Sequence, residues 1–116
     1  MKYQVTDLLP QAEILAQLAE EAAELSQAAL KLRRVLDGQN PTPVGYQQAV
    51  KNFNEEVADV QLCIDLIGFV DNDTIKETYA GKMERWITRL MEQKIEEERR
   101  ERNAAKNARD IRRSRG

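Results

Sequence analysis

The sequence predicts an all-α protein on three grounds: its composition, the spacing of its apolar residues and the positions of its helix-breaking residues. Aromatic residues make up only 5% of the 116 residues, and residues that favour helices, such as Ala, Leu, Glu, Lys and Arg, dominate. Apolar side chains recur three and four positions apart in three stretches, as on one face of an α-helix. A chain of this length is expected to form a single core.

The first stretch, from about Asp7 to Asp37, is predicted to be one long amphipathic helix. Thr6 or Asp7 is expected to cap its start, with Pro10 in the first turn, and Gly38 to end it in a left-handed conformation. Its stripe consists of Leu8, Ala12, Leu15, Ala19, Ala22, Leu25, Ala29, Leu32 and Leu36.

A second helix is predicted after the Gly- and Pro-containing segment 38–43. Thr42-Pro43 is expected to open it, and its stripe is Phe53, Val57, Val60, Ile64 and Ile67. A short connection between two helices favours an antiparallel pair, so we expect an antiparallel helical bundle. With few aromatic residues its core would be thin, and we expect a dimer or a tetramer.

A third helix is predicted after the interruption at 68–73. Thr74 and Glu77 resemble a capping box, and Gly81 is expected to kink the helix. Its apolar stripe contains Ile75, Tyr79, Trp86 and Leu90 and could extend to Ile95.

Charge divides the chain into an acidic body and a basic end. Residues 1–98 contain 10 Lys and Arg against 18 Asp and Glu, a net charge of −8, whereas 99–116 contain 8 against 2, a net charge of +6. We therefore predict a helical domain over 1–98 and a basic C-terminal tail over 99–116. This charged extension could be helical or disordered, and we expect partial helix ending in disorder.

A cytoplasmic location is expected from what the sequence lacks. No apolar run approaches the roughly 20 residues that span a bilayer, and the N-terminus has no apolar signal segment, so we expect no membrane association. Cys63 is the single cysteine, and its apolar surroundings favour a packing role over reactivity.

Two acidic motifs stand out: Glu20-Glu21-Ala22-Ala23-Glu24 on the first helix and Glu55-Glu56-Val57-Ala58-Asp59 on the second. Residues three apart lie about 60° from each other around a helix, so the second and last acids of each motif project from one side. Each motif can therefore chelate a cation.

Positions on a helical wheel show which acids of each motif lie beside the apolar stripe and which point to solvent. Glu21 lies about 40° from Leu25, on the apolar stripe, whereas Glu20 lies about 140° from it. In the same way Glu56 borders the second stripe and Glu55 points to solvent. A carboxylate at the edge of a core needs compensation for its lost hydration.

The ligand types available in the chain limit which cation could bind. The chain has no histidine and one cysteine, which excludes zinc sites built on nitrogen and sulfur. All-oxygen ligation by Glu21, Glu24, Glu56 and Asp59 indicates Mg²⁺, with Mn²⁺ as a substitute. A Glu-rich helix is usually only a solvated surface, but the pairing of two motifs without basic residues at i+4 favours a metal site.

These motifs resemble the metal-binding signature of the MazG-like all-α nucleoside triphosphate pyrophosphohydrolases, over roughly residues 10–95. The resemblance implies that Glu21, Glu24, Glu56 and Asp59 hold Mg²⁺ and are the catalytic residues. It also implies a nucleoside triphosphate substrate and hydrolysis to a monophosphate and pyrophosphate.

The resemblance extends to a Lys and an Arg on a later helix that bind phosphates, matched by Lys82 and Arg85. The alternative is that these two are ordinary surface charges. Two features depart from the family pattern: the 31 residues (25 to 55) between Glu24 and Glu56, a longer separation than in compact members, and the basic tail.

Two other functions remain open. The chain could be a non-catalytic helical interaction module whose acids only solubilise it. Alternatively, its arginine-rich end could bind nucleic acid non-specifically. Short charged ends are more often solvated, so we expect nucleic acid not to be a partner.

Overall fold

The computed structural model describes residues 2–38 and 45–115. These form four helices, which we number α1 (Val5–Leu8), α2 (Gln11–Asp37), α3 (Tyr46–Leu66) and α4 (Asn72–Arg115), and the described residues contain no strand. The all-α prediction is confirmed. The chain divides into two compact units, Met1–Val70 and Asp71–Gly116, and each is described by itself.

Pro10 divides the predicted first helix in two. Leu9 has an extended backbone (φ −125°, ψ 130°), and Pro10, also extended, is the N-cap of α2. A proline ring disfavours the helical conformation in the residue before it, and proline cannot donate a backbone hydrogen bond. The prediction that Pro10 lies inside the first turn is therefore wrong, and Thr6 and Asp7 lie in the short α1 instead of capping the long helix.

The end of α2 is as predicted. Gly38 adopts the left-handed conformation (φ 65°, ψ 13°), and its N–H donates to the carbonyl oxygen of Arg34 at 3.0 Å. A residue with a β-carbon is strained in this conformation, so glycine is the natural choice here. The predicted cap Thr42-Pro43 lies outside the described residues, and α3 begins at Tyr46 after Gly45.

The first unit is an antiparallel hairpin of α2 and α3. Its orientation is clear at the ends, where the Gln11 side chain at the start of α2 spans the end of α3. Its amide nitrogen donates to the carbonyl oxygen of Leu66 at 3.3 Å, and its oxygen accepts from the Gly68 N–H at 2.8 Å.

The hairpin core is small. The buried side chains are Ile14, Ala28, Ala49, Cys63 and Ile67. Of the predicted α3 stripe, Val57 is 38% exposed, whereas Ile67 is buried. Small alanines on both helices allow the helix axes to approach closely. The hairpin is therefore held by close backbone approach more than by large interlocking side chains.

The start of α4 is capped by Asp71 and not by Thr74 as predicted. Asp71 accepts hydrogen bonds from the Thr74 hydroxyl at 2.8 Å and from the backbone N–H groups of Asp73 and Thr74 at 3.1 and 3.3 Å. These bonds hold the pKa of Asp71 below its ordinary value, the Thr74 hydroxyl contributing most. A carboxylate here also interacts favourably with the helix dipole.

α4 is longer than the sequence predicts. It continues through Gly81 and reaches Arg115, so residues 99–115 are helical and not partly disordered. Arg99 and Arg100 both pair with Glu96, at 2.7 and 3.3 Å, and such pairs three and four residues apart support an isolated helix. The domain boundary predicted between 98 and 99 lies inside this helix.

Large apolar side chains on α4 are exposed. Ile75, Tyr79, Trp86 and Leu90, the predicted stripe, are between 51% and 66% exposed. Over the part of the chain that the structure describes, none of the helices combines the length and apolar character needed to cross a membrane.

We predict that Gln11→Ala lowers the free energy of unfolding by about 1–2 kcal/mol, because both of its hydrogen bonds to the end of α3 are lost. Urea denaturation at constant pH measures this change. Gln48→Ala, which removes only an exposed bond to Asn52 within α3, is the control and is expected to cost less than about 0.5 kcal/mol. Equal losses in the two variants would show that Gln11 does not hold the hairpin together.

Candidate metal centre

Four carboxylates meet on one face of the hairpin. Glu21 and Glu24 lie one turn apart on α2, and Glu56 and Asp59 lie one turn apart on α3. One carboxylate oxygen from each of the four lies within 4.8 Å of the others. We call these residues the acid cluster. The convergence expected from the two sequence motifs is therefore present, because the antiparallel packing of α2 and α3 brings the motifs to the same level.

The acids of the cluster differ in burial. Glu21 and Glu56 are half-buried, whereas Glu24 and Asp59 are exposed. This agrees with the wheel positions of Glu21 and Glu56 beside the apolar stripes. Each helix thus contributes one acid held at the edge of the core and one that faces solvent.

Two oxygens of the cluster are buried without a hydrogen-bond partner. They are the Oε2 atoms of Glu21 and Glu56. The other oxygen of Glu21 accepts from the Gln17 side-chain amide at 2.7 Å. A buried carboxylate oxygen without a partner is unfavourable, so a proton or a cation at this position would stabilise the hairpin.

Repulsion within the cluster changes the protonation of Glu24. Its pKa is raised above the ordinary glutamate value, first by the negative charge of Glu21, then by a hydrogen bond with Glu21, by lost hydration and by Glu56. Within residues 2–38 and 45–115, no Lys or Arg forms a salt bridge with the cluster. Ion pairs from this part of the chain therefore do not offset the four carboxylates.

The donor set fits a hard divalent cation. Four carboxylates supply only oxygen ligands, which Mg²⁺ and Mn²⁺ prefer, and their oxygens are close enough to share an ion. Mg²⁺ commonly keeps several water ligands and binds through few carboxylates plus substrate phosphates, so exposed Glu24 and Asp59 suit such a site. Exposed acids also occur together without an ion; in this cluster Glu21 and Glu56 are half-buried, and each has a buried oxygen without a hydrogen-bond partner.

A groove of about 370 Å³ continues from the cluster along the hairpin. Its walls include Glu24 and Glu56, and the polar side chains Gln27, Lys31 and Asn52 also line it. Lys31 places a positive charge in the wall of the same groove, and the sequence analysis missed it. The available signal was its position seven residues, or about two turns, after Glu24 on the same side of α2.

Lys82 and Arg85 lie on α4, in the second unit. Both are exposed. The Arg85 guanidinium lies across Gly81, where a β-carbon would be only 3.3 Å from Nη1. The two side chains are one turn apart on the helix, and their expected role in phosphate binding stays a prediction.

Cys63 is packed and not activated. It is a free, buried cysteine, and burial raises the pKa of its thiol, with smaller contributions from the charges of Glu21 and Asp59. A thiol with a raised pKa is a poor nucleophile at neutral pH. Its predicted packing role fits this environment.

Comparisons with protein-family models, with curated proteins and with solved structures give no significant match for this chain.

The raised pKa of Glu24 predicts an unusual pH dependence when divalent ions are absent. The folded state holds the Glu24 proton more tightly than the unfolded state does, so the stabilisation is present at acid pH. It is lost as the pH rises through the raised pKa. Chelator-treated protein should therefore lose stability over this interval, measured as the urea midpoint at a series of pH values.

Glu24→Gln is the matching variant because glutamine cannot ionise. At pH values above the raised pKa of Glu24, this variant should be more stable than the wild type in chelator. Its stability should also fall less as the pH rises. Glu20→Gln, next to the cluster but outside it, should follow the wild type. A decline of the same size in Glu24→Gln would show that repulsion in the cluster does not cause it.

Proposed function

We propose that this chain is a magnesium-dependent nucleoside triphosphate pyrophosphohydrolase of the MazG-like type, cleaving an NTP or dNTP to the monophosphate and pyrophosphate. The observation that carries the proposal is the convergence of four acids from two helices, with a buried, unpartnered oxygen on each helix. Acids placed only for solubility would be expected to spread apart.

The proposal explains why an acidic surface would receive a polyanion. A triphosphate and four carboxylates repel each other unless cations lie between them. Bound Mg²⁺ would supply Lewis acidity toward the phosphate oxygens and toward water, and would neutralise charge on the triphosphate. The acid cluster and its proposed substrate therefore both require a cation.

The side chains of the cluster have two different tasks in this mechanism. Glu21 and Glu56 are half-buried at the core edge, and Glu21 also accepts a hydrogen bond from Gln17, so these two would hold the ion from the core side. Glu24 and Asp59 are exposed and would face an arriving substrate. Holding the reacting groups in fixed positions is the main contribution a protein makes to phosphoryl-type hydrolysis.

Positive side chains would hold the phosphates that the acids cannot bind. We assign Lys82 and Arg85 to the departing pyrophosphate, as charge-assisted donors. Lys31, in the groove beside Glu24, is a further donor within the first unit. Cleavage next to the α-phosphorus would leave pyrophosphate with the larger negative charge, and cationic donors would stabilise it.

We also propose that the protein acts as a homo-oligomeric helical bundle, a dimer or a tetramer. The support is its exposed apolar surface: the buried core of the described residues has five members, while large side chains such as Leu30, Leu62 and Trp86 are more than half exposed. A core this small stabilises a fold only weakly, and pairing of protomers would cover more apolar surface.

A non-catalytic interaction module remains the alternative, in which the acids only solubilise the helices. Such a module would not need two buried carboxylate oxygens without partners. Magnesium distinguishes the two functions, because a ligand that binds only the folded state must raise its stability.

We predict that millimolar MgCl₂ raises the Tm of the wild-type protein. At roughly 100 times the Kd, the added stability is about 2.7 kcal/mol. Glu21→Gln and Glu56→Gln should lose most of the shift, whereas Glu20→Gln should keep it. Calorimetric scans in matched buffers, with KCl at equal ionic strength, separate ion binding from screening. No shift specific to magnesium would favour the interaction module.

We predict that the protein with Mg²⁺ releases pyrophosphate from one or more nucleoside triphosphates, and that Glu56→Gln lowers kcat by about 100-fold or more. A panel of canonical and damaged triphosphates, with pyrophosphate and orthophosphate quantified separately, tests this. Glu20→Gln is the control for a neighbouring charge and should retain activity. Release of orthophosphate alone would contradict the proposed bond cleavage.

A further inference from the structure

The C-terminal part of α4 carries a one-sided row of positive charges. With about 100° per residue, five cations fall within an arc of about 80° and extend over about 21 Å of helix. We call this row the basic stripe; it consists of Arg99, Arg102, Lys106, Arg109 and Arg113, all exposed. A partly disordered tail would not hold these side chains in a row, so the stripe depends on the helix reaching Arg115.

Most of the stripe is not neutralised by the chain's own acids. Arg99 pairs with Glu96, but Arg102, Lys106, Arg109 and Arg113 form no salt bridge within the described residues. Two acids, Glu98 and Asp110, lie at the two edges of the row. Four adjacent cations therefore remain available to an external anion.

The stripe lies on nearly the opposite side of α4 from the apolar residues Ile75, Tyr79, Trp86 and Leu90, by the same count of about 100° per residue. Two further exposed apolar residues, Met91 and Ile95, lie on the same side as the stripe, just before it begins. A second protomer that covers only the side of Ile75, Tyr79, Trp86 and Leu90 would leave the stripe open.

We propose that the basic stripe is a binding surface for the phosphate backbone of double-stranded nucleic acid, contacted without regard to base sequence. Four of its five members are arginines, whose planar guanidinium groups bind phosphate oxygens in pairs. The cations follow each other at intervals of about 4.5 to 6 Å along the helix axis. A duplex presents a continuous line of negative charge against which such a row can lie.

Other anionic partners fit the stripe less well. An acidic protein surface would form separate exposed ion pairs, each contributing only about 0–1 kcal/mol, whereas a duplex also releases condensed counterions. A membrane surface would require large apolar side chains on the other face, and residues 99–115 have only Ile111. Single strands are bound mainly through aromatic stacking, and this segment has no aromatic residue.

This surface is independent of the acid cluster and of the proposed hydrolysis. The expectation that nucleic acid is not a partner rested on a solvated, frayed tail. Because α4 is helical through Arg115, the basic residues of this segment are instead held in a row on one side of the helix. The acidic body would repel a duplex, and salt at about 0.1 M weakens this repulsion.

The test is fluorescence anisotropy with a labelled 20-base-pair DNA duplex of random sequence. With the four unpaired cations engaged, log K should fall against log salt with a slope of about −3.6, or about 150-fold between about 50 and 200 mM. Arg102→Gln combined with Arg109→Gln should weaken binding and reduce the slope by about 2.

The matched control is Arg112→Gln combined with Arg115→Gln. It removes the same charge from the same part of α4, about 100° and 160° away from the centre of the stripe. Retained binding in this control, with loss in the stripe variant, supports the proposal. Equal losses would show that only total charge matters and would overturn it.

Three further probes complete the test, with helicity checked by circular dichroism for every variant. Poly-glutamate, a single strand of the same length and vesicles containing phosphatidylserine should each bind more weakly than the duplex. Tighter binding of any of these three would overturn the assignment to a duplex. Absence of duplex binding at low salt would also overturn it, without affecting the proposed hydrolysis.

Discussion

The close antiparallel packing of α2 and α3 is the constraint on which the candidate site depends. Buried alanines at positions 28 and 49 let the helices approach, and Gln11 fixes the far end of the pair. The same packing forces four carboxylates to within 4.8 Å of one another. Apolar burial that stabilises the hairpin thus acts against electrostatic repulsion that loosens it.

This opposition gives the acid cluster its chemical character. The raised pKa of Glu24 and the unpartnered oxygens of Glu21 and Glu56 have one origin, since each results from negative charges held close together beside a core. A divalent cation would relieve both. If the proposed function is right, binding of the metal and stability of the fold are linked, and the free energy given up by crowding the acids is recovered when the ion binds.

The hairpin and the C-terminal part of α4 differ in the sign and the arrangement of their charges. In the hairpin, acids on separate helices gather at one place, which suits a small, highly charged cation. In α4, cations on a single helix form a row, which suits an extended anion. Both arrangements arise from helical periodicity, but the first needs two helices in register and the second needs only one uninterrupted helix.

The sequence by itself determined the helical class, the glycine that ends α2 and the identities of the acids. Each follows from a local property of the chain: the spacing of apolar residues, the ability of glycine to adopt the left-handed conformation, and the i, i+3 spacing of the acids. It misplaced Pro10 and the cap of α4, where proline geometry and the Asp71 side chain outweighed simple capping patterns. Only the tertiary structure brought the two acidic pairs together, left two of their oxygens unpartnered and formed the groove that Lys31 lines. These features depend on the relative position of α2 and α3, which is set by packing between residues far apart in the chain.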